Sequence, residues 1–452
     1  MRWKKYPKYK DSGVEWIGEI PEGWEVIKLA FTGHFSKGGG ISRADLTDEG
    51  YPAILYGDIY TKYDIQAFEI VNHISEAAVS NAVAINRGKL LFTGSGETVE
   101  DIGKTIVYMG EKTAYVGGDV IIYSPNNQNI KFLSYSLNSS NSQYQKSRNA
   151  KGYTVIHIYP SNLKNILITV PDEFEQAQIA SFLDHETSRI DNLIEKKLRQ
   201  IELLKEKRSA LITHAVTKGL NPNVKMKDSG VGWIGEIPEH WEIKSLRYLI
   251  KKNGIVRGPF GSSLRIEFFI NDGYKVYEQK NAIYKDIELG DYYIDEQKFL
   301  ELKRFSLNHG DIIMSCSGTI GKMFRVPQNF KEGIINQALM KISLSKIINS
   351  DFFIMVFESI PYQNAIIDNS QGGAITNIVG VHIFKSIKIL LPPLSEQLEI
   401  VSFLNKETSK IDTLISKIQF SINKLKEYRT ALISAAVTGK IDVRDWKKEG
   451  VS

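Results

Sequence analysis

One cysteine, Cys316, stands among 452 residues. A single thiol excludes an intramolecular disulfide and a cysteine metal cluster within the chain, and fits a reducing compartment. No apolar run approaches the ~20 residues needed to span a bilayer. The opening stretch, residues 1–13, has no apolar core, so no secretory signal is expected there. Histidine is also scarce: there are eight, none at a metal-ligand spacing. These absences predict a cytoplasmic protein with no membrane partner.

Catalytic motifs are missing as well. Phe92-Thr93-Gly94-Ser95-Gly96 fits the FxGxG string of S-adenosylmethionine-binding methyltransferases, but the string is short. The single Pro-Pro, in Leu391-Pro392-Pro393-Leu394, lacks the flanking Asp or Asn and the aromatic residue that hold a flipped base. Gly103-Lys104-Thr105 resembles the end of a phosphate loop, yet Thr98 occupies the position that needs glycine. Pro171-Asp172 with Glu195-Lys196-Lys197 imitates a nuclease site. On a helix rising ~1.5 Å per residue, its two carboxylates would lie more than about 30 Å apart. No catalytic constellation is expected.

What the chain does contain is repetition. Residues 175–217 and 396–438 are identical at 25 of 43 positions, at a constant offset of 221. Such self-similarity has to be explained before any local reading. In both copies apolar residues alternate at steps of three and four: Ile190, Ile194, Ile201, Leu204 and Leu211, then Ile411, Ile415, Ile418, Ile422, Leu425 and Leu432. That period predicts two long helices with a coiled-coil seam; the plainer alternative is a pair of ordinary core helices. Lys197, Arg208 and Arg429 interrupt the seam and are expected to bury their stems while keeping their charges wet. Prolines precede each copy, and Gly219 and Gly439 follow as stop signals.

A second repeat opens each half. Residues 11–25 and 228–242 match at 13 of 15 positions. Their tryptophans, Trp16 and Trp24, then Trp233 and Trp241, are expected to be structural. Between the entrance segments and the helices lie two regions, 26–170 and 243–391, of short apolar runs bounded by Gly, Asn, Asp and Pro. These read as strands: 106–108, 120–123, 275–277 and 311–314. Residues 129–137 and 351–359 read as short helices. The two regions align faintly, Gly88-Lys89-Leu90-Leu91 on Gly310-Asp311-Ile312-Ile313 and Lys151-Gly152 on Gln371-Gly372. A shared scaffold with divergent loops is where recognition usually resides.

The expected fold class is α+β: two globular β-rich α/β domains joined by two long antiparallel coiled-coil helices, with an internal pseudo-two-fold repeat. The segments are 1–170 (first domain), 171–221 (first helix), 222–391 (second domain) and 392–452 (second helix and tail). By the symmetry of the repeat, the tail after Val437 should lead back to the entrance of the first domain.

This layout resembles the specificity subunit of type I restriction–modification systems. The residues that carry the resemblance are Glu175-Gln176 and Glu396-Gln397 after a proline, Phe182 and Phe403, Ile190-Asp191 and Ile411-Asp412, and Ala215-Val216-Thr217 with Ala436-Val437-Thr438-Gly439. The entrance Trp-Ile-Gly-Glu-Ile-Pro and the string Ser317-Gly318-Thr319-Ile320-Gly321-Lys322 add to it. The first half departs from that string through an insertion, Glu97 to Asp101.

The resemblance implies a non-catalytic subunit whose two variable regions are target recognition domains, each reading half of a split site on double-stranded DNA. It implies that the helices act as a ruler and bind two methylation subunits, through which restriction subunits join. No cofactor is expected in this chain; S-adenosylmethionine, ATP and Mg belong to the partner subunits. The net charge of +5 permits DNA binding without demanding it. A two-domain scaffold for protein partners, or a fused methyltransferase, is the rival reading.

From Ser188 to Ala215 a helix would span about 42 Å, against about 34–36 Å for a turn of B-DNA. Half-sites about one turn apart are therefore expected. Base and phosphate contacts need polar and basic side chains on loops. The candidates are Lys37, Ser42, Arg43, Tyr56 and Asp58 in the first domain. In the second they are Arg257, Ser262, Ser263, Arg265, Gln279, Lys280 and Asn281.

Overall fold

A computed structural model describes residues 3–368 and 380–447. The Gln371-Gly372 counterpart of Lys151-Gly152 lies outside them. The chain divides into two compact units, Met1–Lys197 with Gln419–Ser452, and Leu198–Ile418. Both divisions fall within the long helices, Glu173–Lys218 and Leu394–Val437. Each unit therefore owns the start of one helix and the end of the other.

The first unit is built on two five-stranded sheets. One runs Gly33–Lys37, Val120–Pro125, Leu90–Thr93, Thr105–Tyr108, Gln66–Ala67. The three central strands of this sheet read as largely apolar runs because both their faces are covered. Leu90 and Phe92 pack with Leu133 and Leu137 of the helix Ile130–Leu137. Leu91, Ile106 and Ile122 face the other way, onto Ile54 and Val116 of the second sheet. In that sheet Tyr51–Ile54 pairs parallel with Ala114–Val116.

The second unit repeats the plan. Ile250–Arg257, Leu339–Leu344, Ile312–Ser315 and Met323–Arg325 form the main sheet. Tyr274–Tyr277 pairs parallel with Gly333–Ile335 in the smaller one. Ile312 and Met314 face the helix Ser350–Glu358, and Ile313 faces Tyr277 and Ile335. The alternation is that of Leu90, Leu91 and Phe92, carried by different residues.

The repeated sequences supply the joints. Trp24 and Trp241 are buried, and their indole N–H groups donate to Glu175 Oε2 at 3.0 Å and Glu396 Oε2 at 3.1 Å. Gln176 Oε1 accepts from Asn129 N at 2.9 Å, and Gln397 Oε1 from Asn349 N at 2.7 Å. Asn129 and Asn349 cap the two short helices. Each Glu-Gln pair thus ties a long helix to its entrance segment and to its β-rich domain. Trp16 and Trp233, by contrast, are exposed, at 40% and 41%. Trp233 meets the Tyr362 ring edge-on at 5.0 Å.

In the first unit, Ile179, Phe182 and Ile190 pack with Leu432, Ala436 and Val437. In the second, Ile212 and Val216 pack with Ile400 and Leu404. The helix segments run antiparallel within each unit. All eleven predicted seam positions are buried or half-buried: Ile190, Ile194, Ile201, Leu204, Leu211, Ile411, Ile415, Ile418, Ile422, Leu425 and Leu432.

The arginines in the seam are not simply wet. Arg429 Nε lies 3.0 Å from Asp191 Oδ1, and its Nη2 also holds Asp64. Arg208 Nε lies 3.1 Å from Asp412 Oδ1. The offset of 221 maps Asp191 onto Asp412 and Arg208 onto Arg429, so the two pairs are one interaction made twice with the partners exchanged.

Gly219 and Gly439 end the helices at φ +77° and +68°. A Cβ at position 439 would stand 2.3 Å from Pro21 Cδ. The tail then returns to the first unit, as the repeat symmetry predicts. Tyr9 Oη donates to Gly439 O at 3.0 Å, Asp442 N donates to Lys4 O at 2.8 Å, and Trp446 packs edge-on to Phe182 at 5.5 Å.

Candidate nucleic-acid interface

Lys37 ends its strand and is exposed. The glycines that follow do not leave an open platform, because they press the loop onto its own sheet. A Cβ on Gly38 would come 1.9 Å from Gly117 O, and one on Gly39 would come 2.4 Å from Asn81 O. Ser42 N donates to Asp45 Oδ2 at 2.8 Å, and Ser42 Oγ accepts from Ala44 N, which closes the turn Arg43–Asp45. Arg43 is exposed and lies beside Gly57, and Tyr56 is 41% exposed at the start of the helix Tyr56–Thr61. Ser42, Arg43 and Tyr56 therefore share one rim.

Asp58 does not belong to that rim. It is buried, accepts from Leu55 N and Asn72 Nδ2 at 2.9 Å each, and lies 3.2 Å from Lys62 Nζ. It caps its helix and has no capacity left for a base. Asn281 is the same correction in the second unit. It is fully buried, accepts from Glu278 N at 2.8 Å and donates to Leu289 O at 2.7 Å.

Arg257 ends the strand equivalent to that of Lys37, and Gly258 after it again sits on backbone, with a built Cβ 1.8 Å from Asn336 O. Ser262 is exposed and Ser263 half-buried. Arg265 is exposed, pairs with Glu267 at 3.1 Å and lies over the Phe268 ring at 5.8 Å. Gln279 and Lys280 are half-buried; the Lys280 ammonium is 2.8 Å from Glu278 Oε2, which holds its pKa above the ordinary lysine value.

Sequence reasoning passed over a second group. Lys37 Nζ lies 5.8 Å from the centre of the Tyr159 ring, His157 stacks on that ring at 6.4 Å, and His157 Nδ1 is 3.0 Å from Ser95 Oγ. Tyr153 is wholly exposed nearby in sequence. The only signal was the aromatic-rich run 153–159, more than a hundred residues from Lys37.

The strings that imitate catalytic motifs serve the fold instead. Gly94 and Gly96 admit Asp119 O and Tyr60 Oη, which would stand 2.8 and 2.6 Å from a Cβ. Lys104 donates to Tyr63 O at 2.6 Å, and burial lowers its pKa. Asp172 Oδ1 accepts from Glu175 N at 2.8 Å as a helix cap. Cys316 is buried, which raises its thiol to about 12. Among the described residues no cluster of His, Cys, Asp and Glu is placed to hold a metal, and no helix is long and apolar enough to cross a membrane.

Lys146 is fully buried and donates to Gly103 O at 2.6 Å and Leu137 O at 2.9 Å. Gly103 has φ +71°, so the lysine fixes the turn that closes the 97–103 loop. Desolvation lowers its pKa to about 7. Above that pH the unfolded chain still binds the proton and the folded chain does not. Stability should therefore rise from pH 7 until the ordinary lysine value of about 10.4 is passed. We expect a gain of about 2 kcal/mol between pH 7 and 9, removed by Lys146→Met, in urea unfolding followed across that range.

The model of the "Type I restriction modification DNA specificity domain" matches residues 21–203 and 238–424. The chain belongs to this family. Each match begins in an entrance segment and runs into a long helix. The "Putative type I restriction enzyme MjaX specificity subunit" of Methanocaldococcus jannaschii is 29% identical over 95% of this chain and 96% of its own length. The MjaVIII specificity subunit of the same organism is 25% identical over 94% and 95%. A chain solved in work on complex assembly and conformational transition of the type I R-M system shares the fold, with TM-score 0.70 at 14% identity over 92% of this chain and 98% of that one. The HsdS subunit from Thermoanaerobacter tengcongensis matches at TM-score 0.51 and 15% identity, over 93% and 98%. This chain is a type I specificity subunit with two repeated target recognition domains.

Proposed function

We propose that this specificity subunit reads a two-part sequence on double-stranded DNA, one part through each unit, and takes no chemical step itself. Its helices seat two methylation subunits, and restriction subunits join through these. S-adenosylmethionine, ATP and Mg act in those partners. One observation carries the reading: the same scaffold occurs twice with different chemistry at equivalent rims. Lys37 is followed by three glycines and Ser42-Arg43, whereas Arg257 is followed by Gly-Pro-Phe and Ser262-Ser263. Equal scaffolds with unequal rims suit two different half-sites.

A salt titration of duplex binding tests this. Log affinity should fall against log salt with a slope near −0.9 per phosphate contact. Arg257→Ala should weaken binding of the cognate duplex at matched salt. A chain that binds no duplex at any salt would leave only the protein-scaffold reading.

A further inference from the structure

We infer that Phe260 reads a thymine methyl group in the half-site engaged by the second unit. This assignment rests on the DNA-reading role proposed above and adds a specific residue and a specific chemical feature to it. The phenyl ring is 88% exposed. It does not owe that exposure to a loose loop, because its neighbours are fixed on both sides. Pro259 is buried, and Leu264 packs with Val276, Ile294 and Phe299. The stem is anchored too: Gly258 N donates to Leu339 O at 2.9 Å, and Ser263 N donates to Phe260 O at 2.9 Å.

A large ring held away from an apolar cluster a few residues distant forgoes burial that would stabilise the fold. A single exposed ring is ordinary on a protein surface; what distinguishes this one is that it is held out between Arg257 and Arg265, where DNA is proposed to lie, and a base there would cover it. Arg257, Ser262 and Arg265 surround it in sequence, on the rim assigned to DNA. At the matching point of the first unit the chain continues from Gly38 through glycines to Ile41, which is 6% exposed. The projecting ring therefore belongs to the second unit alone.

The chemistry of the ring selects the target. Phenylalanine has no donor or acceptor, so it cannot read the polar groups on base edges. In the major groove the one apolar group that differs between base pairs is the C5-methyl of thymine. Ser262, exposed, and Ser263, half-buried, follow the ring in sequence and carry hydroxyls that can bond polar base edges.

The test uses the full chain and a cognate duplex defined by methylation mapping, in which each thymine is replaced in turn by uracil, which removes only the methyl. One replacement should weaken wild-type binding about fourfold, the worth of one methyl withdrawn from water. Phe260→Ala should lose the same factor on the thymine duplex and become indifferent to that replacement, while Phe260→Leu should keep its sensitivity. The assignment is overturned if no replacement matters, or if wild type and Phe260→Ala respond alike to every one. A rise in 2-aminopurine fluorescence that depends on Phe260 would also overturn it, by showing that the ring wedges between bases. Failure of the wild-type chain to bind any duplex would remove the DNA-reading role and this assignment together; a duplex bound equally well by Phe260→Ala removes the assignment alone.

Discussion

Deleting Lys196 to Arg199, four residues of the first long helix, should weaken binding of the original recognition site at least about 10³-fold. Specific sites are bound 10³ or more tighter than unspecific DNA, and a chain that no longer fits both half-sites loses that margin. The deletion lies where the helix passes from one compact unit to the other. It removes about one turn, or about 6 Å of rise. The ruler reading predicts that binding returns on a duplex with a different spacer and unchanged half-sites. Selection from a library of spacer lengths would measure this directly. A selected site with altered bases inside a half-site would contradict the ruler.

Glu175→Ala should destabilise the first unit by about 3–5 kcal/mol. Glu175 is buried and accepts from Tyr6 Oη at 2.6 Å and from Trp24 Nε1 at 3.0 Å. The neighbouring carboxylate and burial hold the Tyr6 hydroxyl well above its usual pKa, burial being the larger cause. Removing the carboxylate strands two donors inside the core, at about 1–3 kcal/mol each, with loss of packing besides. Glu396→Ala is the control that the repeat supplies. Glu396 accepts from Trp241 Nε1, but its second partner, His240, is exposed, and its own side chain is 23% exposed. Water can replace much of what is lost there, so about 1–2 kcal/mol is expected. Urea unfolding followed by tryptophan fluorescence would compare the two. Equal losses would mean that the Glu-Trp joint does not depend on burial as argued.

The architecture was legible because it is written twice. The 221-residue offset exposed the helices and the return of the tail, a separate offset of 217 exposed the entrance segments, and the Asp191–Arg429 and Arg208–Asp412 pairs obey the first of these. The strands at 106–108, 120–123 and 311–314 were legible as apolar runs, since both their faces are covered, whereas the strand Leu90–Thr93 between the first two was read only as part of an alignment of the two halves. The rim was less so. Asp58 and Asn281 look like loop side chains in sequence, and only the fold shows that each caps the short helix it opens. Lys146 sits in the polar run Ser140–Asn149, whose composition gives no sign that the lysine is buried. Its burial depends on Gly103, brought in by a turn 43 residues away. The Lys37–Tyr159–His157 group was hidden for the same reason, because no local period links residues so distant along the chain. The glycines after Lys37 have a local structural reason that sequence does not show: their close approach is to Gly117 and Asn81.

The claim on which the account turns is that two dissimilar heads on one chain read one DNA site. Mapping of methylated adenines in cells with and without this chain tests it most directly. The account predicts a motif lost with the chain, made of two different short blocks separated by a spacer of fixed length and free composition. A methylation pattern unchanged by loss of the chain, or a lost motif that is one continuous block, would contradict it.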